Sequence, residues 1–340
     1  MRVNWSLKRI AAEIRGLGVA GVMALSVSAL IAIWCAAWLI FGDWTLLTRW
    51  GAYTVPWLGV VAVLACIPAV AQRRYRIALI QAVPALLMLL PIAGRAWPGR
   101  LWNAAAASDI RVVTFNVTDF NSMTLARTYD RAAHRIAALH PDIVFLQQIA
   151  NPEDLLARFA REPGLRALHA YPRKSSEDMI LSRYPLESAA IPFGRSVTAI
   201  ADIGRCRLAL WGLHGPHGER AVNEQAKFFN DFRTRFAPMG AGAIVAGDMN
   251  STEFNSVQAP LRDVLGDAFA SAGFGAGFTY PTGVRRLGKL GPLVRIDYIF
   301  YTSTLTPTQS FAFGGDIGSD HYAVFTAFRL PDKCANIAPG

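Results

Sequence analysis

Apolar positions fall on this chain in two regimes. Before residue 100 they run almost unbroken in three stretches, Leu17 to Phe41, Val55 to Ala71 and Ile77 to Gly94, none of which holds a charge. Crossing the hydrocarbon core of a bilayer takes about 20 apolar residues, with roughly 17 at the lower limit, so the pattern predicts three transmembrane helices. The first stretch is also too long for the core of a cleavable signal peptide, and no small-residue cleavage site follows it, so it is read as a retained anchor. After residue 100 the apolar runs are short and separated. Ile110 to Val117, Ile143 to Leu146, Met179 to Leu181, Val197 to Ile203, Leu208 to Leu213, Ala243 to Ala246, Ile296 to Tyr301 and Tyr322 to Phe328 predict strands. Tyr129 to Leu139 and Glu219 to Phe236 carry apolar residues at helical spacing, the second ended by Pro238 and Gly240. The expected organisation is a membrane anchor over 1–100, an alanine-rich linker over 101–108, a domain of alternating strands and helices over 109–330, and a tail over 331–340.

Charge refines this picture. The chain is 53% hydrophobic, more than an ordinary soluble enzyme, and carries +10 overall. Residues 1–100 hold ten Lys or Arg against two Asp or Glu, so about +8 of that charge belongs to the anchor and the rest of the chain is nearly neutral. Arg2, Lys8, Arg9 and Arg15 precede the first span and Arg73, Arg74 and Arg76 crowd the second loop, which places these segments in the cytoplasm and the C-terminal domain outside it. Arg95 and Arg100, just past the third span, argue the other way. A near-neutral body offers little of the basic field on which nonspecific nucleic-acid binding rests, so a nucleic-acid partner is disfavoured. Arg285, Arg286 and Lys289 form a small basic patch, read as a solvated loop. Cys35 and Cys66 read as packing residues, while Cys206 and Cys334 could pair in an oxidising compartment.

Candidate chemistry gathers at the strand ends, where open sheets present side chains to a crevice. Asn116 ends the first predicted strand, Gln148 the second, and His214 follows Leu213; Gly-Asp-Met-Asn brings Asp248 and Asn250, Arg-Ile-Asp-Tyr brings Asp297, and Ser-Asp-His brings Asp320 and His321. Each has an ordinary alternative, such as an Asx turn for Asp248 with Asn250. His217 is the weaker of the two neighbouring histidines, and Asp119, Glu177 and Asp178 read as solvated loop acids.

The order of these motifs resembles the endonuclease/exonuclease/phosphatase superfamily, the fold of pancreatic deoxyribonuclease, over roughly residues 109–329. A Leu-Ser-Arg-Tyr-Pro-Leu run at 181–186 adds to the match. Membrane spans before such a domain resemble the bacterial branch that includes the VanJ-type glycopeptide-resistance proteins. The resemblance implies a four-layer α/β/β/α sandwich and a Mg²⁺- or Mn²⁺-dependent phosphoesterase. It also implies that Asn116, Gln148 and Asp320 serve the metal, Asp248 handles the attacking water, Asn250 holds that water or a phosphoryl oxygen, and His214 and His321 contact the phosphoryl group, with Asp297 orienting His321. One position departs from the pattern: relatives carry Glu where Gln148 stands, which removes a negative charge from the metal site. Three readings follow: an enzyme with a weaker metal, an enzyme using a neighbouring acid such as Asp119 or Glu177, or an inactive binding domain. The expected partners are the lipid bilayer and a phosphorylated, lipid-linked substrate at the outer face of the cytoplasmic membrane, with an anchored nuclease as the alternative.

Overall fold

A computed structural model describes residues 6–97, 100, 103–118, 125–172, 177–189, 196–204, 207–218, 221–236 and 242–331. Asp119, Glu219, Cys206, Cys334, Pro238 and Gly240 lie outside the described residues. The chain divides into two units, one of residues 1–94 with Phe254–Ser256 and one of 95–253 with 257–340.

In the first unit the apolar stretches are helices. Helix α1 (Leu7–Arg15) begins on Ser6, whose hydroxyl accepts from the Arg9 N–H, and is followed by α2 (Val19–Phe41), α3 (Leu46–Tyr53), α4 (Val55–Ala71) and α5 (Tyr75–Ala93). Among the described residues two helices are long and apolar enough to cross a membrane, Val19–Trp44 and Tyr75–Ala96. The middle stretch is not a third straight span: α4 has 17 residues and bends 82° from α3, and the two pass the same length and composition test only together, as a broken span or a re-entrant loop. Pro56, in the first turn of α4, has no N–H to continue the hydrogen bonding of α3, so the chain turns there. Gln81 on α5 is buried and donates to Ser28 Oγ on α2 (3.1 Å) and to the Ala65 carbonyl on α4 (3.0 Å), a polar link between otherwise apolar helices.

The second unit is a mixed α/β fold. Its strands are β1 (Ile110–Asn116), β2 (Ile143–Gln147), β3 (His169–Pro172), β4 (Met179–Ser182), β5 (Leu186–Ser188), β6 (Val197–Asp202), β7 (Arg207–His214), β8 (Ala243–Asp248), β9 (Gly266–Asp267), β10 (Asp297–Tyr301), β11 (Thr306–Phe313) and β12 (Ala323–Arg329). Among the described residues these form two six-stranded sheets, β11-β12-β1-β2-β4-β3 and β5-β6-β7-β8-β10-β9. Val112, Phe145 and Val324 of the first sheet meet Leu210, Ile244 and Ile299 of the second in one apolar core, so the sheets pack face to face. The outer face of the first is covered by α6 (Leu125–Ala137) and α7 (Pro152–Phe159), and that of the second by α8 (Ala221–Phe236) and α9 (Ala259–Arg262). The pairs β1–β2 and β7–β8 are parallel, so a crossover must join each, and α6 and α8 serve. Strands β3, β5, β9 and β11 were not expected from the sequence.

Two further expectations change here. Arg95 is not a free basic residue flanking a span: it is buried and makes a two-pronged ion pair with Glu253 (2.9 and 2.6 Å). Arg100 likewise donates to the Ala270 and Gly273 carbonyls. Glu253 and Asp267 in turn flank buried Arg295.

Candidate active site

Three adjacent strands of the second sheet bring acids and a histidine level with one another. In parallel register His214 of β7 pairs with Asp248 of β8, and in antiparallel register Asp248 pairs with Asp297 of β10. Gly247 permits this. Its φ is +148°, and a Cβ there would lie 1.8 Å from the Leu213 carbonyl oxygen, so only glycine lets β8 approach β7 one residue before Asp248.

Across the gap, the first sheet contributes Asn116 from the end of β1 and the turn before β12. Asn116 Nδ2 donates to Asp248 Oδ2 at 3.1 Å, while its Oδ1 accepts from the Thr118 N–H and hydroxyl. Ser319 Oγ donates to the Asn116 carbonyl at 2.7 Å and accepts from the His321 N–H at 3.0 Å. The Ser-Asp-His turn is thereby fixed to β1.

His321 Nδ1 lies 2.9 Å from Asp297 Oδ2, and its Nε2 lies 3.8 Å from Asp248 Oδ2. His214 Nε2 is 4.0 Å from that same Asp248 oxygen. Ligand atoms of Asp248, Asp297 and His321 all fall within 4.8 Å of one another, and all three residues are buried. Burial works to strip the proton from His321, but Asp297 and then Asp248 outweigh it and raise its pKa to about 9. Asp248 is raised to about 7, chiefly by burial, against the pull of His321. The pair thus joins a retained imidazolium to a carboxylate made basic. The Tyr280 ring sits 4.9 Å from that of His321 and backs it.

Asn250 adopts φ +46° and donates its N–H to Asp248 Oδ1 at 2.8 Å, so the Asx turn is present within the cluster rather than instead of it. Its Nδ2 donates to the Gly215 carbonyl. His217 is exposed and its ring stacks 6.1 Å from that of His214.

The residues expected to serve a metal are each tied to different partners. Asp320 Oδ2 accepts from Arg285 Nε at 2.8 Å, whereas Asp320 Oδ1 is buried with no hydrogen-bond partner among the described residues. Gln148 lies one residue past β2 with φ +57°, its N–H directed at Asp178 Oδ1 at 3.4 Å. Asp178 is therefore no solvated loop acid: it is buried beside the position where the charge is missing. Arg285, read as part of a solvated patch, is instead bonded into the site. A divalent cation would find an open oxygen donor in Asp320 Oδ1, whereas the Asn116 amide oxygen already accepts two hydrogen bonds from Thr118. Asp297 holds His321 Nδ1, which leaves Nε2 facing Asp248 and Asp320 at 3.8 Å each.

Sequence reasoning missed Ser319, Tyr280, Arg285 and Asp178. Ser319 is the first residue of the Ser-Asp-His motif and could have been included; the other three act across long sequence separations that no local pattern reveals.

Two facing sheets flanked by helices, with carboxylates, amides and histidines converging at their strand ends, define the deoxyribonuclease-like class of phosphoesterase fold. The chain belongs to the Endonuclease/Exonuclease/phosphatase family, whose profile matches residues 102–321. The family includes phosphodiesterases and nucleases that depend on divalent metals. Among solved structures it is similar to a humanized D. rerio TDP2 bearing 14 mutations, with 19% identity, a TM-score of 0.54, and 66% of this chain and 100% of that one covered. It is also similar to an endonuclease/exonuclease/phosphatase from Bacteroides vulgatus, at 17% identity and TM-score 0.53, covering 66% of this chain and 99% of that one. C. elegans TDP2 shares 18% identity at TM-score 0.53, covering 79% and 92%. These identities support a shared fold and nothing finer. No curated protein matches the sequence.

Proposed function

We propose that this protein is a membrane-anchored phosphoesterase that hydrolyses the phosphodiester or pyrophosphate of a lipid-linked substrate at the outer face of the cytoplasmic membrane, in the manner of the VanJ-type branch. The observation that carries the hydrolytic part is the His321–Asp297 and Asp248–Asn116 pairing in one buried cluster at the sheet ends. The lipid part rests on the apolar helices that precede the domain and on its near-neutral charge.

A bound Mg²⁺ or Mn²⁺ would supply Lewis-acid stabilisation of charge on a phosphoryl oxygen. Asp320 would hold it, with Asn116 and Gln148. Asp248, its basicity raised by burial, would take the proton of the attacking water, and Asn250 would help position that water. His321, kept cationic by Asp297, would donate from Nε2 to the charge developing on the phosphoryl group, and His214 would approach from the β7 side.

The test is hydrolysis of undecaprenyl pyrophosphate by full-length protein in detergent with Mn²⁺, with single-stranded and plasmid DNA as parallel substrates. Phosphate release that falls by about 10²- to 10⁴-fold in Asp248→Ala is the expected result. Gln148→Glu should tighten Mn²⁺ binding, read by calorimetric titration independently of turnover, because it restores a carboxylate to the site. DNA cleavage without lipid hydrolysis would replace this reading with the nuclease, and turnover confined to Gln148→Glu would make the natural domain a binder.

A further inference from the structure

The structure assigns a second, membrane-facing role to the segment 283–291 beside the catalytic turn: we infer that it is a rim that enters the interface of an anionic bilayer. Val284, Leu287 and Leu290 are 52, 65 and 82% exposed. In the second unit the other exposed large apolar side chains, among the described residues, are Trp97 and the less exposed Phe274, so three of five fall within seven residues. Isolated exposed leucines are common, but a run of them rimmed by polar groups marks a contact surface.

Two features select lipid as the occupant. Leu287–Leu290 is a single 3-10 turn, in which residues three apart eclipse, so Leu287 and Leu290 share one side and exposed Arg286 and Lys289 share the next. An apolar stripe edged by basic side chains matches acyl chains below and phosphate head groups above. The charge is also unopposed in sequence: no Asp or Glu occurs between Asp267 and Asp297. A protein partner with a matching groove would have to supply its own acids, whereas an anionic leaflet presents them everywhere, and this chain already carries helices of membrane-crossing length.

The rim is tied to the chemistry by hydrogen bonds. Thr282 donates its N–H to the Asp320 carbonyl (2.9 Å) and its hydroxyl to the Ser319 carbonyl (2.5 Å), and Arg285 Nε holds the Asp320 carboxylate. Buried Gly288 folds the 3-10 turn back on Thr282, where a Cβ would lie 1.6 Å from the Thr282 carbonyl oxygen. A bilayer that takes up Leu287 and Leu290 thus sets the height of Asp320 above the head groups. The inference rests on the lipid reading for its purpose but not for its test.

Leu290→Cys, in a chain whose four native cysteines are serine, would carry an environment-sensitive nitrobenzoxadiazole label, with Lys227→Cys on exposed α8 as the reference. Full-length protein would be placed in nanodiscs of phosphatidylcholine alone or with phosphatidylglycerol. Blue-shifted emission at 290, quenched by doxyl-labelled lipid, stronger with phosphatidylglycerol and reduced by Arg286→Gln with Lys289→Gln, is expected, with no such change at 227. Water-like emission at 290 in both lipids would overturn the proposal, as would a blue shift that doxyl lipid does not quench, which would mean that protein covers the segment. Neither readout needs turnover, so failure of the rim and failure of the hydrolase reading are separate results.

Discussion

The most consequential single contact is the 2.9 Å bond between His321 and Asp297. A buried imidazole would ordinarily lose its proton; here two carboxylates reverse that and hold the pKa near 9 rather than 6.5. A folded-state pKa above the unfolded value contributes stability that is complete below 6.5 and is lost as pH rises through about 9. Asp297→Asn removes the partner that opposes burial most strongly, so the His321 pKa must fall. The expected outcome is an alkaline limb of the pH–rate profile that moves to lower pH, together with a smaller alkaline loss of melting temperature, because the unfolded pKa of 6.5 at which that loss begins is unchanged while the folded pKa falls towards it. A wild-type profile in the variant would show that the imidazolium is not what the reaction uses. Asp248 adds to the same trend, since a carboxyl raised by burial also loses folded-state advantage as it ionises.

Elements deliver these side chains, and the join between β7 and β8 is the tightest step. Gly247→Ala forces a methyl into the Leu213 carbonyl, and the strand cannot retreat without moving Asp248 away from His214. A loss of about 1–3 kcal/mol or more is expected, seen as a fall in melting temperature of roughly 2–4 °C per kcal/mol, with activity falling further than stability alone requires. This join was legible in the sequence because both strands are buried apolar runs that end on the motif residues. So were β1, β2, β10 and β12. The outer strands were not: β11 contains Pro307 and alternates with polar residues, β3 ends in Pro172, and β5 has only three residues, because an edge strand needs less buried surface. Site residues outside the motifs escaped for a different reason. Arg285 meets Asp320 across 35 positions and Asp178 meets Gln148 across 30, and such contacts are made by tertiary structure alone.

At the scale of the whole molecule, the fold bears on how the chain is threaded through a membrane. The basic residues before α2 and in the loop before α5 favour a cytoplasmic location for both, but Arg95 and Arg100 lie beyond the last apolar helix and oppose that assignment under the positive-inside rule. Both have folding duties in the second unit: Arg95 neutralises Glu253, and Arg100 satisfies two carbonyls at the end of α10 (Ala268–Ala272). Their presence is explained without any role in orientation; in the cluster before α5, Arg76 pairs with Glu13 and Arg74 donates to the Gly16 carbonyl, while Arg73 is exposed. If orientation is set by the cluster before α5, then Lys227→Cys on α8 should react with a membrane-impermeant maleimide in intact bacterial cells. Changing Arg73, Arg74 and Arg76 together to Gln should reduce that labelling, and Arg100→Gln should leave it unchanged. Labelling only after lysis in the parent chain would put the phosphoesterase domain in the cytoplasm, where the bilayer rim would still have an anionic leaflet to meet but the outer-face substrate would be out of reach.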